Sequence, residues 1–245
     1  MRYNRTNLPS WFADWAQDRL RAVSAFYVEF SVSSNTPPLN RTNVYVDGFN
    51  LYFGCLKNTS YKWLNLAEFC CRSLPSHFQV QHIRYFTALV PSRTDPQQVV
   101  RQQTFIRALQ TIPNLTVHYG HFLNSRIWMP LATPPASGSP FVEVLKTEEK
   151  GSDVNLATYL LMDAYERDFD AAVVITDDSD LAEPITVVRR RLHHHVTILS
   201  PRGKSRQLSL VATRFRQIDP VVLAASQFPA VLKDANGTIV KPAGW

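Results

Sequence analysis

The stretch "AAVVITDDSDL" (residues 171–181) decides the fold of this chain. Its first five residues are apolar without polar alternation, which is typical of a strand buried on both faces of a parallel sheet. Three carboxylates follow at once, those of Asp177, Asp178 and Asp180. Like charges this close repel one another, so the cluster predicts either a solvated turn or a site for a positively charged ligand.

Helix-like and strand-like patterns alternate on both sides of this stretch. The predicted strands are 43–48, 82–90, 115–123, 171–176 and 195–200, and the predicted helices between them are 63–74, 95–112, 152–167 and 179–192. Asp95 and Pro96 suit the N-cap and the first position of the second helix. This alternation predicts an α/β protein, a three-layer α/β/α sandwich with a mostly parallel central sheet.

Three parts of the chain are predicted from composition and turn signals. Residues 1–40 form an N-terminal extension that is helical or flexible, residues 41–220 form the α/β domain, and residues 221–245 form a C-terminal tail with a hairpin turn at Asn236-Gly237. Inside the domain, Pro and Gly interrupt two extended runs at 124–146, which predicts a hairpin-like insertion.

Composition excludes several classes of protein. The 245 residues are 45% hydrophobic, enough for a full core. The three cysteines (Cys55, Cys70 and Cys71) are odd in number and lack C-x-x-C spacing, which argues against disulfides and zinc. No apolar run approaches the ~20 residues of a membrane span. We therefore expect a cytoplasmic protein without a membrane partner.

Charge is distributed unevenly along the chain. Residues 185–245 contain ten Lys or Arg against two Asp, a net charge of +8, whereas residues 1–184 contain 16 basic and 18 acidic side chains. A basic C-terminal third beside an acidic cluster favours a polyanionic partner held near bound cations. The alternative is that these bases only form solvated helix faces.

The acidic residues fall where the strands of such a sheet end. Asp47 ends the first strand, Asp178 and Asp180 follow the fourth, and Asp153 opens the helix before it. The crevice of an open parallel sheet lies at the carboxyl ends of its strands, so these side chains are expected to converge. Oxygen ligands favour Mg²⁺ or Mn²⁺, which promote phosphodiester hydrolysis. Taken singly, each residue could instead be a turn residue or a helix cap.

Three motifs together resemble the NYN domain of the PIN-like nuclease superfamily. They are "VDGFNL" (46–51), "KGSDVNLA" (150–157) and "VVITDDSDL" (173–181). The resemblance implies a three-layer fold that cleaves RNA with a divalent metal bound by aspartates. Two positions depart from it, since many relatives carry Gly or Asn at Asp177 and a further Asp at Tyr159.

The resemblance also implies roles for individual residues. Asp47, Asp153 and Asp178 are the expected catalytic metal ligands, Asp180 is a further metal ligand, and Asn50 orients a phosphate oxygen or a carboxylate.

Substrate binding is expected at five further positions, Lys150, Ser179, Arg202, Lys204 and Arg206. The last three follow the fifth strand and suit the RNA backbone. Lys150 has an alternative, a solvated lysine beside two glutamates.

The resulting hypothesis is a metal-dependent endoribonuclease that uses Mg²⁺ or Mn²⁺ on RNA. A catalytically weak RNA- or nucleotide-binding regulatory module in the same crevice is the alternative, and a homo-oligomer or a regulatory protein partner is left open. An aspartyl phosphatase is disfavoured, because Phe49 stands where its D-x-D motif needs the second Asp.

Overall fold

A computed structural model describes residues 40–91 and 95–245 of the chain. The predicted N-terminal extension, up to residue 39, lies outside the described residues. The strands are β1 (Asn40–Asp47), β2 (Phe78–Thr87), β3 (Leu115–Tyr119), β4 (His121–Pro130), β5 (Phe141–Lys150), β6 (Ala171–Ile175), β7 (His195–Ser200), β8 (Arg214–Gln217), β9 (Val231–Asp234) and β10 (Gly237–Val240).

Seven α-helical segments accompany these strands in the described ranges. They are α1 (Gly48–Leu51), α2 (Leu66–Ser73), α3 (Pro96–Leu109), α4 (Ser152–Tyr165), α5 (Ala182–Thr186), α6 (Arg206–Val211) and α7 (Pro220–Ala225). A π-helical turn continues α1 over Tyr52–Leu56 and another continues α5 over Val187–Arg191, while a 3₁₀ turn over Ser179–Leu181 precedes α5. Asp95 is the N-cap of α3, as predicted, and accepts a hydrogen bond from Gln97 N at 2.9 Å.

The central sheet has six strands in the order β3-β2-β1-β6-β7-β8, and all five pairings are parallel. Each of these strands reaches the next through at least one helix, as parallel pairing requires. The predicted α/β fold with a parallel sheet is therefore confirmed. The strand order places the ends of β1 and β6 side by side at the carboxyl edge.

Apolar side chains cover both faces of this sheet. On one face Val44 and Val46 pack with side chains of α1, α2 and α3, and on the other Tyr45 and Val174 pack with α4, α5 and α6. All five residues of β6 are 0% exposed. Burial on both faces explains why this strand is an uninterrupted apolar run.

One predicted strand is divided in two. The run 115–123 was predicted as a single strand, but β3 ends at Tyr119, and β4 begins at His121 in a separate antiparallel pair with β5. Gly120 lies at the break, where a Cβ would stand 2.5 Å from the carbonyl oxygen of Lys150 and 3.0 Å from the backbone N of Ser152. This close approach lets the chain leave the central sheet. The predicted hairpin is confirmed and is longer than 124–146.

The C-terminal residues pack beside α3. The β9–β10 pair forms the hairpin predicted at Asn236-Gly237. Ile239 is 2% exposed, and Arg107 of α3 binds the carboxylate of Asp234 at 2.6 Å. Within the described ranges, none of the helices combines the length and the apolar character that crossing a membrane requires.

Candidate active site

The first strand brings Asp47 to the carboxyl edge of the sheet. Asp47 is 2% exposed and caps α1. Its Oδ1 accepts a hydrogen bond from the backbone N of Asn50 at 2.9 Å, and its Oδ2 accepts one from Nδ2 of the same residue at 2.5 Å. Burial raises the pKa of Asp47, and the carboxylate of Asp178 raises it further. The hydrogen bonds thus fix this side chain, while burial disfavours its charged form.

Thr176 connects Asp47 to the acidic turn after β6. Its Oγ1 donates to Asp47 Oδ2 at 3.0 Å and accepts from the backbone N of Asp178 at 3.0 Å. Asp178 Oδ1 accepts from the backbone N of Asp180 at 2.9 Å, so Asp178 is also the cap of the 3₁₀ turn. The adjacent ends of β1 and β6 are therefore joined by side chains as well as by the sheet.

Asp153 lies in the first turn of α4 and lines the same crevice as Asp47. The N-cap before it is Gly151, whose φ of 100° is a left-handed conformation that suits glycine. Burial raises the pKa of Asp153 to about 7, and the carboxylates of Asp47 and Asp178 contribute to this rise. Without a cation, Asp153 is therefore divided between its protonated and charged forms near neutral pH.

A pocket of about 520 Å³ opens beside these carboxylates. Its polar wall contains Asp47, Asn50, Glu149 and Asp153, and its apolar wall contains Phe49, Phe53, Val90, Pro91 and Phe122. The rings of Phe49 and Phe53 are stacked with centroids 6.4 Å apart, and the ring of Phe122 meets Phe49 edge-on at 5.9 Å. Carboxylates facing aromatic rings suit a ligand that joins a planar ring to a group bound through a cation.

Asp177, which had no predicted role, organises the loop after β7. Its Oδ1 accepts a hydrogen bond from the hydroxyl of Ser200, and its Oδ2 accepts one from the backbone N of Arg202 at 2.7 Å. The hydroxyl of Ser200 accepts in turn from Gly203 N at 2.7 Å. Asp177 therefore ties the loop that carries Arg202 and Lys204 to the acidic turn.

The predicted substrate-binding residues do not all reach the pocket. Lys150 Nζ lies 3.4 Å from the carboxylate of Glu148, which is the alternative that the sequence left open. Ser179 is exposed on the 3₁₀ turn. Lys204 and Arg206 are exposed outside the pocket wall. These residues form a rim around the crevice rather than its lining.

Tyr159 points away from this crevice. Its ring centroid lies 4.2 Å from that of His118, and the guanidinium of Arg84 lies 4.7 Å from its centre. One turn further along α4, Asp163 binds the same arginine at 2.8 Å and accepts a hydrogen bond from Tyr45 at 2.7 Å. The helix face that carries Tyr159 is thus part of a packed polar and aromatic cluster.

The donor set at the crevice has the chemistry of a site for Mg²⁺ or Mn²⁺. Asp47, Asp153 and Asp178 supply only oxygen ligands, and no Lys or Arg of the described residues forms an ion pair with any of them. In this arrangement no three His, Cys, Asp or Glu side chains of residues 40–91 and 95–245 are grouped closely enough to hold a metal ion. Asn50 shares Asp47 Oδ2 and would have to release it to a cation.

Sequence reasoning missed three residues that line or support the crevice. Thr176 binds Asp47, Glu149 lines the pocket and accepts from the hydroxyl of Ser152 at 2.8 Å, and Phe122 contributes an aromatic wall. Thr176 and Glu149 each adjoin a predicted motif, and their position was the available signal. Phe122 had none, because it reaches the pocket only through the separate β4–β5 pair.

Comparison with known proteins places the chain in a family. It belongs to the NYN domain family, whose model matches residues 41–219, and NYN domains belong to the PIN-like nuclease superfamily.

Two individual proteins are similar to it. The curated protein 6-hydroxy-3-succinoylpyridine 3-monooxygenase HspA from Pseudomonas putida (strain DSM 28022 / S16) is 29% identical over 235 residues, which cover 84% of this chain and 75% of that protein. The crystal structure of VPA0982, a protein of unknown function from Vibrio parahaemolyticus RIMD 2210633, is 17% identical and covers 76% of this chain and 96% of that chain with a TM-score of 0.49.

Proposed function

We propose that the protein is a metal-dependent endoribonuclease that holds Mg²⁺ or Mn²⁺ at Asp47, Asp153 and Asp178. The observation that carries this proposal is the pKa of about 7 at Asp153, which burial and the neighbouring carboxylates produce where no base of the described chain is paired with the cluster. A divalent cation would remove this repulsion. Membership of a nuclease superfamily supports the same conclusion.

The protein's own residues position the substrate in this scheme. A bound divalent cation would lower the pKa of a water molecule and neutralise charge on the phosphate. Asn50 and Thr176 hold Asp47 in place by hydrogen bonds. Phe49 and Phe53 offer ring faces on which a base next to the scissile phosphate can stack.

The C-terminal bases support RNA as the substrate. Each of the seven ion pairs of the described residues uses a base that precedes residue 151. The ten bases of residues 185–245 thus have no acidic partner there, while Asp234 is bound by Arg107 from outside that segment. Arg202 and Lys204 lie in the loop that Asp177 ties to the crevice, where they suit contacts to RNA phosphates.

The decisive experiment is cleavage of a labelled single-stranded RNA by the purified full chain, with Mn²⁺ or Mg²⁺ and with EDTA. We expect cleavage that requires the metal and that falls by about 100-fold or more in Asp153→Asn and in Asp47→Asn. Asp219→Asn is the matched control, because Asp219 caps α7 outside the pocket wall and Asn also caps helices. Cleavage that persists in EDTA and in both site variants would refute the proposal.

A second candidate activity is hydroxylation of an aromatic ring. It rests on the similarity to the protein named 6-hydroxy-3-succinoylpyridine 3-monooxygenase and on the aromatic wall of the pocket, which can also enclose a pyridine ring. Incubation with that pyridine, O₂ and reduced nicotinamide, with oxygen uptake and the ring absorbance followed together, tests it. Turnover here, with RNA left intact, would replace the nuclease proposal.

A regulatory RNA-binding module is the remaining candidate, since it would use the same bases and the same pocket. It predicts RNA that binds with a steep salt dependence but remains intact with every divalent metal tried. The cleavage and binding assays distinguish it from both enzymes.

A further inference from the structure

A second pocket, of about 320 Å³, adjoins the one beside the carboxylates. The two share a wall formed by Phe49, Phe53, Val90 and Gln98. Phe53 is 48% exposed, and Lys57 Nζ lies 4.9 Å from its ring centre. A ligand that extends from the carboxylates past this wall would therefore enter the second pocket directly.

Aromatic rings enclose this second pocket. Tyr52, Tyr85, Phe105 and Trp245 line it together with the shared phenylalanines. The ring centroids of Phe105 and Trp245 are 5.4 Å apart, so the C-terminal tryptophan packs on α3. The lining thus presents several ring faces to one small volume, which suits a planar aromatic ligand.

Polar groups without partners point to a particular ligand. Tyr85 is 6% exposed, and within the described residues its hydroxyl makes no hydrogen bond, although a buried hydroxyl normally has one. The side-chain amide of Gln98 is likewise unbonded in that part of the chain, and it can both donate and accept. Lys57 and Lys62 add positive charge at the same pocket.

We propose that this pocket binds a nucleobase of the RNA, from a nucleotide next to the one whose phosphate lies at the carboxylates. The inference rests on the proposed function for its substrate, and it assigns Tyr85 and Gln98 to the edge of the base and Lys57 to the adjoining phosphate. Arg101 is less suited to the phosphate, because Asp95 already binds it at 2.5 Å.

Binding of the four nucleoside 5′-monophosphates, measured by calorimetry on the full chain in EDTA, tests the proposal. At least one of them should bind about fivefold or more tightly than ribose 5-phosphate, which carries the phosphate but no base. Tyr85→Phe removes only the hydroxyl and should weaken that binding by about fivefold. Lys57→Ala should weaken it too, with the unfolding temperature unchanged in both variants.

Matched controls are Tyr165→Phe and Lys233→Ala, which change an exposed tyrosine and an exposed lysine outside both pockets. Equal binding of ribose 5-phosphate and the nucleotides, or unchanged nucleotide binding in Tyr85→Phe and Lys57→Ala, would overturn the proposal. The measurement involves neither metal nor cleavage. Nucleotide binding can therefore fail while metal-dependent cleavage persists, and it can persist while cleavage fails.

Discussion

Replacing Asp153 by Asn should stabilise the protein in the absence of divalent cations. The pKa of Asp153 rises from an ordinary 3.8 to about 7 in the fold, chiefly through burial. At about 1.4 kcal/mol per pKa unit, the upper limit of the destabilisation is about 4 kcal/mol. Because the side chain is only partly buried, solvent screening reduces this to about 1–2 kcal/mol.

The sign follows from proton binding. The folded chain binds the proton of Asp153 more tightly than the unfolded chain, so the free energy of unfolding falls as pH rises from 3.8 to about 7 and stays reduced above that. Asn carries no titratable proton and avoids this loss. The stabilisation should therefore be present at about pH 8 and largely absent at about pH 4.

Thermal and urea unfolding in EDTA at these two pH values measure the effect. At the higher pH we expect the unfolding temperature of Asp153→Asn to exceed that of the unmodified chain by about 2–8 °C. Asp170→Asn is the opposite control, since Arg41 lowers the pKa of Asp170 and loss of that carboxylate should destabilise the fold at the same pH. Added Mn²⁺ should stabilise the unmodified chain more than Asp153→Asn.

The reasoning would be refuted if Asp153→Asn were less stable than the unmodified chain at both pH values. That result would mean that the carboxylate makes a favourable contact in the fold that outweighs its repulsion. An equal gain at both pH values would also contradict it, because the gain would then be unrelated to ionisation.

Three further predictions concern the fold and the RNA path. Asp163→Ala should lower the free energy of unfolding by about 3–5 kcal/mol in urea, since it leaves the partly buried Arg84 without its ion pair; a loss below about 1 kcal/mol would contradict this. Gly48→Ala should cost about 1–3 kcal/mol in thermal unfolding, because a Cβ would lie 2.7 Å from a tyrosine ring and 2.8 Å from a backbone carbonyl, and an unchanged unfolding temperature would count against this contact. Arg202→Ala with Arg216→Ala should reduce the slope of log affinity for single-stranded RNA against log salt by about 0.7 per charge, measured by fluorescence anisotropy; an unchanged slope would remove these arginines from the path.

The sequence predicts the fold well where a local pattern has one physical cause. The five residues of β6 are apolar because both faces of that strand are covered, and Asp95 begins α3 because its side chain accepts a backbone hydrogen bond. The division after Tyr119 was missed, because Gly120 is required there by the backbone of the distant Lys150 and Ser152. A contact across the fold leaves no periodic signal in the sequence.

The candidate site follows the same rule. Topology alone predicted that Asp47 and Asp178 would lie near each other, since β1 and β6 are neighbours at the carboxyl edge. The hydrogen bonds of Asp177 could not be predicted, because its partners belong to the loop after β7 and are set by how that loop folds back. Which side chains meet was thus predictable to the level of strand ends, and which atoms meet was not.

The structural and the functional interpretations of the aspartates also prove compatible. Asp178 caps the 3₁₀ turn with Oδ1 alone, and within the described residues its Oδ2 has no hydrogen-bond partner. A cap of this kind fixes the carboxylate and leaves one oxygen for a ligand. Asp47 differs, because both of its oxygens are engaged, and Asn50 must release one of them before a cation can bind there. If the proposed cation binds, Asn50→Ala should therefore tighten the binding of Mn²⁺ at Asp47 while weakening the capping of α1, and calorimetric Mn²⁺ titration beside thermal unfolding separates the two effects. Weaker Mn²⁺ binding in Asn50→Ala would mean instead that the amide helps to hold the cation site together.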